Sequence, residues 1–516
     1  MESSAPSYPP LHYDPRASLH GFLEDAADRY GQRVALRHGD EALSYRELDG
    51  LSNAMANLLA ARGVRQGDRV AVLCSNRPEF SVTAFGALKL GASVVMLSQA
   101  WKPAELAPAL ALTRPALVVC DGDAPDRLDG SADTASVLHL DHDAVGATLL
   151  AGSGRRPDVE LDWAEREAVL VFSSGTTGLP KAVRHTHASL VAGTLHWASA
   201  LGLTDDDRFQ VATPPFHILG LMNILASVSA GACVRLHTRF DLDRVLQAIE
   251  RDRITLEMAV APIAIAMANH PNLEAYDLSS LRYLMWCATP VTASVAETIT
   301  RRTGVPVMAA YGASELPVLT CNPVRRPERW RLDSPGLPVH DVRLRVVDLE
   351  TGAVLPPGQT GEIQARSPST MAGYLPAEAD ADAFVDGWYR TGDVGWLEPD
   401  GWLHLTDRVK EMIKVRGFQV APAEVEAVLH GHPAVADCAV YGVPDEQSGE
   451  AVVAAVQLVP GAAPAEGELE ALVAERLASY KRITRLHVVD AIPRLPSGKV
   501  LRRVLREQLD GTPVRA

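Results

Sequence analysis

The first third of the chain alternates between short apolar runs and helix-length segments. The apolar runs are 34–37, 69–74, 92–97 and 116–120, and the helical segments between them are 45–62, 78–90 and 103–112. This alternation is typical of parallel strand–helix–strand units, because parallel neighbours need a long crossover connection. The pattern predicts a doubly wound α/β sheet, and similar units continue to about residue 320.

The sequence pattern changes after about residue 320, and it changes again near Lys410. Short β segments with proline and glycine turns, such as 342–347 and 361–366, indicate a β subdomain. A compact α+β pattern follows Lys410, with helices at 422–430 and 466–478 and strands at 435–441, 452–459 and 487–490. We expect a large N-terminal doubly wound αβ domain with a β subdomain, 1–409, and a small mobile C-terminal α+β domain, 410–516.

Length and charge limit the function. The chain has 516 residues and a formal net charge of −15. This length exceeds what one hydrophobic core serves, so two or more domains are predicted. Nucleic acids and anionic membranes bind dense positive surface, and the charge argues against either as the main partner.

Six cysteines are scattered singly, without a Cys-x-x-Cys pair. Neither a disulfide framework nor a zinc site is indicated. Residues 1–40 lack the basic and apolar segments of an export signal, and the most apolar stretch, 219–234, is short for a membrane span. We expect a cytoplasmic protein without a membrane span.

A hydroxyl-rich and glycine-rich loop follows the apolar run 168–172. Hydroxyl and backbone N–H groups offer many donors in little space, glycine lets the backbone approach an anion, and lysine adds charge. The sequence predicts a phosphate loop that holds ATP. It lacks the Gly-Lys-Ser/Thr ending of a Walker loop, and taken alone it also fits an ordinary tight turn. Its residues are Ser173, Ser174, Gly175, Thr176, Thr177, Gly178 and Lys181.

Lysine is rare in this chain. Seven of the 49 basic residues are lysine and the rest are arginine. Retained lysines are candidates for work that needs a compact ammonium on a flexible stem. Four of them lie in the phosphate loop or in motifs further along the chain, namely Lys181, Lys410, Lys414 and Lys499.

Three further motifs are ambiguous when each is taken alone. Tyr311-Gly312-Ala313-Ser314-Glu315 fits a strand end and turn, Asp393 fits a turn former, and Lys499 fits a solvated lysine. In their order and spacing, however, these motifs and the phosphate loop resemble the acyl-adenylate-forming superfamily. The resemblance is to its acyl-CoA synthetase and 4-coumarate:CoA ligase branch, and it covers nearly the whole chain.

The resemblance implies an ATP site. The loop 173–181 would wrap the β- and γ-phosphates, Ser314 would bond the α-phosphate or the substrate carboxylate, and Glu315 would hold Mg²⁺. Asp393 would accept hydrogen bonds from the ribose hydroxyls, since an ionised carboxylate only accepts hydrogen bonds. Arg408 would reach the ribose or phosphates, and Lys499 would approach the α-phosphate and bridging oxygen. The remaining nucleotide contacts would come from Tyr311, Ala288, Thr289 and Pro290.

The resemblance also implies a second half-reaction with coenzyme A. The small domain would pivot at Lys410, withdraw Lys499 and bring in the face with Lys414, Gly417 and Gln419. Gly417 would let pantetheine pass close to the backbone. Arg239 would contact CoA, and His217 would act as a gate near the carboxylate. A histidine among apolar neighbours is otherwise usually a core residue.

The acyl pocket departs from the family's usual residues. The pocket would be bordered by His217, Trp286, Cys287, Ala310 and Gly312. Cys287 and Ala310 add side chains where relatives often have none, so we predict a pocket narrowed toward a small or planar acid. The alternative is that neighbouring residues retreat and the volume is unchanged. The segment after Phe216 contains no aspartate or glutamate that could pair with the ammonium group of a substrate. This argues against an α-amino acid as the substrate, because a buried ammonium without a partner is costly.

The predicted activity is ATP-dependent, AMP-forming activation of a carboxylic acid, followed by transfer to the thiol of CoA. Other acceptors remain open, namely the pantetheine arm of a carrier protein, an amine, or a nucleophile such as nitrite. A nucleotide-binding sensor without turnover is a third hypothesis. The joint presence of Lys181, Glu315, Asp393 and Lys499 argues against it.

Overall fold

The computed structural model describes residues 11, 13–14, 17–128, 136–142, 145–146, 149, 155–159, 161–172, 181–287, 291, 293–415, 418–445, 448–494 and 499–511. Within these residues the protein is a mixed α/β structure in which helices cover twisted sheets. No helix among them is both long and apolar enough to cross a membrane.

The helices are α1 (Gly21–Tyr30), α2 (Tyr45–Ala61), α3 (Pro78–Lys89), α4 (Pro103–Thr113), α5 (Ala124–Leu128), α6 (His187–Leu201), α7 (Ile218–Ala230), α8 (Leu242–Asp252), α9 (Ala261–Ala268), α10 (Ala293–Thr303), α11 (Pro422–His430), α12 (Glu468–Arg476) and α13 (Arg502–Asp510). Short 3₁₀ turns occur at Leu273–Ala275, Pro327–Arg329, Ala377–Asp380 and Ser479–Lys481.

The strands before residue 340 are β1 (Val34–His38), β2 (Glu41–Ser44), β3 (Arg69–Leu73), β4 (Ser93–Met96), β5 (Leu117–Cys120), β6 (Ser136–His139), β7 (Glu167–Phe172), β8 (Ala182–Thr186), β9 (Arg208–Val211), β10 (Cys233–Leu236), β11 (Leu256–Met258), β12 (Tyr283–Trp286), β13 (Val307–Tyr311), β14 (Thr320–Cys321) and β15 (Leu337–Pro338).

The later strands are β16 (Arg343–Val347), β17 (Gly361–Arg366), β18 (Gly373–Leu375), β19 (Phe384–Val385), β20 (Trp388–Leu397), β21 (Leu403–Arg408), β22 (Ile413–Val415), β23 (Phe418–Val420), β24 (Val435–Asp445), β25 (Gly449–Leu458) and β26 (Arg485–Val488).

The predicted α/β pattern is divided between two sheets. One has the order β18-β8-β7-β4-β3-β5-β6, and the other has the order β15-β14-β13-β12-β11-β9-β10-β1-β2. Most neighbours are parallel, as the helix-length crossovers require. Strand β1 joins β10, almost 200 residues later, and not the sheet of β3 and β4. Local pattern fixes a strand's faces but not its distant partner, which explains the difference.

Both sheets share one hydrophobic cluster. Val94 and Val169 enter it from the first sheet, Phe209 and Met285 enter it from the second, and Phe80 of α3 enters from between them. Each of these side chains is almost completely buried. Their burial fixes how the two sheets stack, and thereby the relative position of the loops at the strand ends.

The middle of the second sheet contains a buried acid. Glu257 lies on β11 directly opposite Gln210 of β9 and is 1% exposed. Burial raises the pKa of Glu257 to about 8, because an ionised carboxylate loses its hydration there. This carboxyl is therefore largely protonated at neutral pH.

A β subdomain and an α+β unit complete the fold. The first is the sheet β16-β17-β20-β19 with β21 beside β20, and the second is the sheet β23-β22-β25-β24 with β26 beside β25. Helix α11 buries Val425 in the core of the second unit, against Val440 and Val456. The large N-terminal and smaller C-terminal domains agree with the predicted fold class. The boundary at 409/410 and the hinge at Lys410 remain predictions.

Candidate active site

Lys181 is the last residue of the predicted phosphate loop and immediately precedes β8. Residues 173–180 fall outside the described residues, so this part of the prediction is not tested. The Lys181 Nζ atom lies 3.8 Å from the centre of the Tyr374 ring. Burial lowers the pKa of Lys181. The geometry is that of a cation–π contact with a partly desolvated ammonium.

Glu315 is fixed at both its side chain and its backbone. The Tyr374 hydroxyl donates to Glu315 Oε1 at 2.7 Å, and the Met371 N–H donates to the Glu315 carbonyl at 2.8 Å. The side chain is 8% exposed. Gly312 makes the turn before it possible, since a Cβ atom there would overlap the Pro317 carbonyl.

A histidine supports the neighbouring residue. His185 Nε2 lies 2.8 Å from the Ser314 carbonyl oxygen, and because a carbonyl only accepts, this nitrogen carries the proton. Burial lowers the pKa of His185 to about 4, so the ring is neutral. Sequence reasoning did not identify His185, because a histidine on a buried strand carries no functional signal of its own.

Asp393 and Arg408 form a pair on adjacent strands. They lie opposite one another in the register of β20 and β21, and Arg408 Nε donates to Asp393 Oδ1 at 2.8 Å. The Tyr311 hydroxyl donates to the other carboxylate oxygen, Oδ2. Asp393 is 8% exposed. Each oxygen thus accepts one hydrogen bond from protein and keeps further acceptor capacity.

Three tyrosines lie together around the two acids. Burial raises the pKa of Tyr311, Tyr374 and Tyr389, and the nearby charge of Glu315 adds to this for Tyr374 and Tyr389. Their hydroxyls remain neutral donors. Sequence analysis missed Tyr374 and Tyr389. We call Lys181, Tyr311, Glu315, Tyr374 and Asp393 the strand-held cluster.

Lys499 approaches this cluster from the C-terminal part of the chain. Burial lowers the pKa of Lys499, the neighbouring Arg408 cation lowers it further, and Glu411 and Asp393 oppose the shift. These interactions place the ammonium within electrostatic range of the Asp393–Arg408 pair. The structure thus brings together Lys181, Glu315, Asp393, Arg408 and Lys499.

Exposed positions hold several of the other candidates. Lys414 is exposed on β22, and its backbone N–H donates to Glu450 Oε2 at 2.6 Å. Gln419 pairs with Lys414 across β22 and β23, and Gly417 is outside the described residues. Arg239 is exposed in the connection between β10 and α8. The hinge candidate Lys410 is also exposed.

Asp407, next to Arg408 on β21, contacts the C-terminal unit. Its Oδ2 accepts from the Ala423 N–H at 2.9 Å, in the first turn of α11. This is a capping contact, because the first N–H groups of a helix have no partner within it. Burial raises the pKa of Asp407 to about 6.

The acyl-pocket candidates divide between two faces of β12. Cys287 packs with Ala310 in the cluster shared by the two sheets, and its Sγ lies 3.1 Å from Met258 Sδ. Trp286 packs in a separate cluster with helices α9 and α10. Successive side chains of a strand point to opposite faces, so Trp286 and Cys287 pack on different sides of the sheet, and the place of Trp286 in the acyl pocket remains a prediction.

His217 immediately precedes α7 and contacts Phe216, with 4.7 Å between the ring centres. Burial lowers the pKa of His217. Residues 288–290, predicted to contact the nucleotide, are outside the described residues. The extended backbone of His217 places it at the N-terminal end of a mostly apolar helix.

Comparisons with known proteins are consistent along the whole chain. A family model described as AMP-binding enzyme matches residues 23–375, and one described as AMP-binding enzyme C-terminal domain matches residues 424–499. The chain is 36% identical over 509 residues to 4-coumarate–CoA ligase 5 of Oryza sativa subsp. japonica, which covers 95% of this chain and 94% of the plant protein.

Two solved structures extend the comparison. ATP-bound MatB from Rhodopseudomonas palustris superposes with a TM-score of 0.89 at 29% identity, over 95% of this chain and 98% of MatB. The amide bond synthetase McbA from Marinactinospora thermotolerans superposes with a TM-score of 0.86 at 31% identity, over 95% of this chain and 100% of McbA.

Proposed function

The chain belongs to the family of AMP-binding enzymes and is an AMP-forming ligase, and from this premise we propose that it joins a small or planar carboxylic acid to CoA through an acyl adenylate. The observation that carries the proposal is the Asp393–Arg408 ion pair at 2.8 Å, whose charges act on the Lys499 ammonium. Two cations beside one carboxylate would suit the phosphates and the ribose of a nucleotide.

The first half-reaction joins two anions. A carboxylate oxygen of the acid would attack the α-phosphorus of ATP, and the bond from that phosphorus to the bridging oxygen would break and release pyrophosphate. Like charges oppose this approach. The ammonium groups of Lys181 and Lys499 and the Arg408 guanidinium would offset the repulsion, and fixed charges act most strongly in a site that excludes water.

The acids have separate tasks in this proposal. Asp393 would accept the ribose hydroxyls on lone pairs that Tyr311 and Arg408 leave open. Glu315 fits a magnesium site, because Mg²⁺ takes few protein carboxylates and completes its shell with phosphate oxygens and water. Among the described residues only Tyr374 donates to the Glu315 carboxylate, through Oε1. When bound, the ion would supply positive charge to the phosphates.

The second half-reaction would use another arrangement of the C-terminal domain. The thiol sulfur of CoA would attack the acyl carbon, a thioester would form, and AMP would leave. Lys414 is exposed in the present arrangement. A rotation about Lys410 would exchange Lys499 for the face with Lys414, Gly417 and Gln419. His217 would border the thiol's path, and Arg239 would contact CoA.

Close packing around Cys287 supports the proposed substrate class. The contact between Cys287 and Met258 fills space beside Ala310, and both cysteine and alanine are nearly completely buried. The similarity to a 4-coumarate–CoA ligase also supports an aromatic acid. A panel of acids assayed by pyrophosphate release tests the proposal. We expect the highest kcat/KM for small or aromatic acids, and a maximum at twelve or more carbons would contradict it.

A second acceptor class has its own support. McbA, with 31% identity over its full length, is an amide bond synthetase. An amine acceptor would keep the adenylation step and replace the thiol. Incubation with acid, ATP and either CoA or a set of amines, followed by mass spectrometry, separates the two. Thioester without amide supports the first proposal, and amide without thioester supports the second. A carrier-protein pantetheine arm is assayed in the same way.

A further inference from the structure

Tyr374 contacts two groups of opposite charge at once. Its ring face lies 3.8 Å from Lys181 Nζ, and its hydroxyl donates to Glu315 Oε1 at 2.7 Å. The tyrosine is 4% exposed. Among the described residues Lys181 forms no ion pair within 4.0 Å, although the Glu315 charge acts on it. One side chain therefore contacts both a cation and an anion that form no ion pair with each other.

The backbone holds this ring firmly. Tyr374 lies opposite Val183 in the pairing of β18 with β8, two residues after Lys181. Its N–H donates to Asp380 Oδ1 at 2.6 Å. Gly373 has a φ of +134°, and a Cβ atom there would collide with the Asp380 carboxylate. The conformation that presents Tyr374 thus needs a glycine before it.

Energies favour a separating role. A direct ion pair at a poorly hydrated site is strongly attractive, because little solvent screens the two charges. Bound phosphates and metal would have to break such a pair before either group could serve them. A cation–π contact is weaker than such an ion pair. The ring therefore holds the ammonium in place more weakly than the carboxylate would.

We propose that Tyr374 is a positioning residue that keeps the Lys181 ammonium and the Glu315 carboxylate close but unpaired, so that both are available to the nucleotide. The proposal rests on the proposed function for the roles of Lys181 and Glu315. The arrangement itself is a property of the free protein. It therefore has a test that does not depend on catalysis.

The small number of lysines makes the arrangement visible by NMR. Reductive methylation with ¹³C-formaldehyde gives dimethyl-lysine resonances from only seven lysines, and Lys181→Arg assigns the one of interest. In the parent protein, the face of the Tyr374 ring should shift the methyl resonance of Lys181 upfield of the resonances of the other lysines. A Lys181 resonance within the range of the other six would overturn the proposal without any Tyr374 variant.

Variants separate the ring from the hydroxyl. Tyr374→Phe should keep the upfield shift, whereas Tyr374→Leu should abolish it and raise the pKa of Lys181, because the ammonium then pairs with Glu315. Adding Glu315→Gln to Tyr374→Leu should reverse that rise. An unchanged Lys181 pKa in Tyr374→Leu would overturn the separating role. Tyr374→Met, closer in volume, replaces Tyr374→Leu if the latter does not fold.

Pyrophosphate exchange measures how the same variants affect adenylation. Tyr374→Leu should raise the KM for ATP about tenfold or more, with Tyr374→Phe between it and the parent. Tyr389→Phe is the matched control, since it removes a buried hydroxyl beside Tyr374 without touching Lys181. If the NMR results hold but no acid supports exchange in the parent protein, the proposed function fails and the arrangement stands. If exchange occurs without the NMR signature, the arrangement fails alone.

Discussion

The strand-held cluster and the C-terminal lysines are built differently. Glu315 and Asp393 are each 8% exposed, and each receives a tyrosine hydroxyl. Lys414, in contrast, is exposed, and Lys499 reaches the cluster from a connection that precedes α13. Under the proposed function, the groups used in both half-reactions lie on or beside paired strands, and the groups used in only one lie in the C-terminal part of the chain.

Under the proposed function, this difference would assign the two halves of the chemistry to different parts of the molecule. Nucleotide charge would be met by residues whose positions the sheets fix, which gives a preorganised site. Selection between adenylation and transfer would depend on which lysine faces that site. Each half should therefore respond to a different set of substitutions, and that expectation can be tested directly.

The largest effect is expected at Lys499. Lys499→Ala should lower pyrophosphate exchange by at least about 100-fold, roughly 2.7 kcal/mol of barrier, because a cation beside the leaving oxygen is lost. Transfer from a supplied acyl adenylate should change little. Lys414→Ala should show the reverse. Lys102→Ala, at an exposed site far along the sequence from both, is the control. Exchange within about threefold of the parent would contradict the role of Lys499.

A large effect on stability is expected at Glu257, in the fixed part of the molecule. Its pKa of about 8 lies above the value of about 4.3 in an unfolded chain. The folded state binds this proton more strongly, so the stabilisation is complete below about pH 4 and is lost as pH rises toward 8. The loss is on the order of a few kcal/mol.

Glu257→Gln should flatten this pH dependence. All eight tryptophans precede Lys410, so thermal unfolding followed by tryptophan fluorescence reports on the N-terminal part alone. Between pH 5 and 8 the midpoint of the parent should fall more than that of the variant. Glu250→Gln, exposed on α8, should behave like the parent. Parallel curves for the parent and Glu257→Gln would show that Glu257 ionises normally.

A smaller effect is expected at Asp393. Asp393→Asn keeps the side chain's shape but removes the charge that pairs with Arg408 and that is proposed to face the ribose. The KM for ATP should rise about tenfold, roughly 1.4 kcal/mol, with the rate of transfer from supplied adenylate less affected. Pyrophosphate exchange at varied ATP measures this. An unchanged KM would place the ribose elsewhere.

The smallest effect is expected at Cys287. Cys287→Ala removes the sulfur that contacts Met258 and opens a small space beside Ala310. We expect kcat/KM to shift by about threefold or less toward a bulkier acid, because one heavy atom in an apolar pocket is worth roughly 1 kcal/mol or less. Trp286→Phe, on the opposite face of β12, is the control and should leave the acid preference unchanged. A shift there instead would relocate the pocket.

The sequence predicted most elements because their apolar runs and caps are local signals. The helix expected at 45–62 is observed at Tyr45–Ala61, where Ser44 and Glu47 form a reciprocal cap. The strand expected at 361–366 is observed at Gly361–Arg366. The division into two sheets could not be predicted in this way, since β1 pairs with β10 through contacts that no local pattern encodes.

The candidate site was predictable where charge and spacing carried it. Lys181, Glu315, Asp393, Arg408 and Lys499 were all identified from motifs, and the structure brings them together. Tyr374 and His185 were not, because a tyrosine or histidine in an apolar strand is usually a core residue. For Trp286, residue order alone does not say which face of a strand borders a cavity, so its place in the acyl pocket stays a prediction.

Strand β21 ends in two neighbours that point in opposite directions. Arg408 turns toward Asp393, where the ribose is proposed to lie, and Asp407 turns toward the first turn of α11. A rotation at Lys410 would displace Asp407 together with α11, while the neighbouring Arg408 would contact the nucleotide. Release of spent AMP and reopening of the enzyme would then be one mechanical event, timed by a segment only a few residues long.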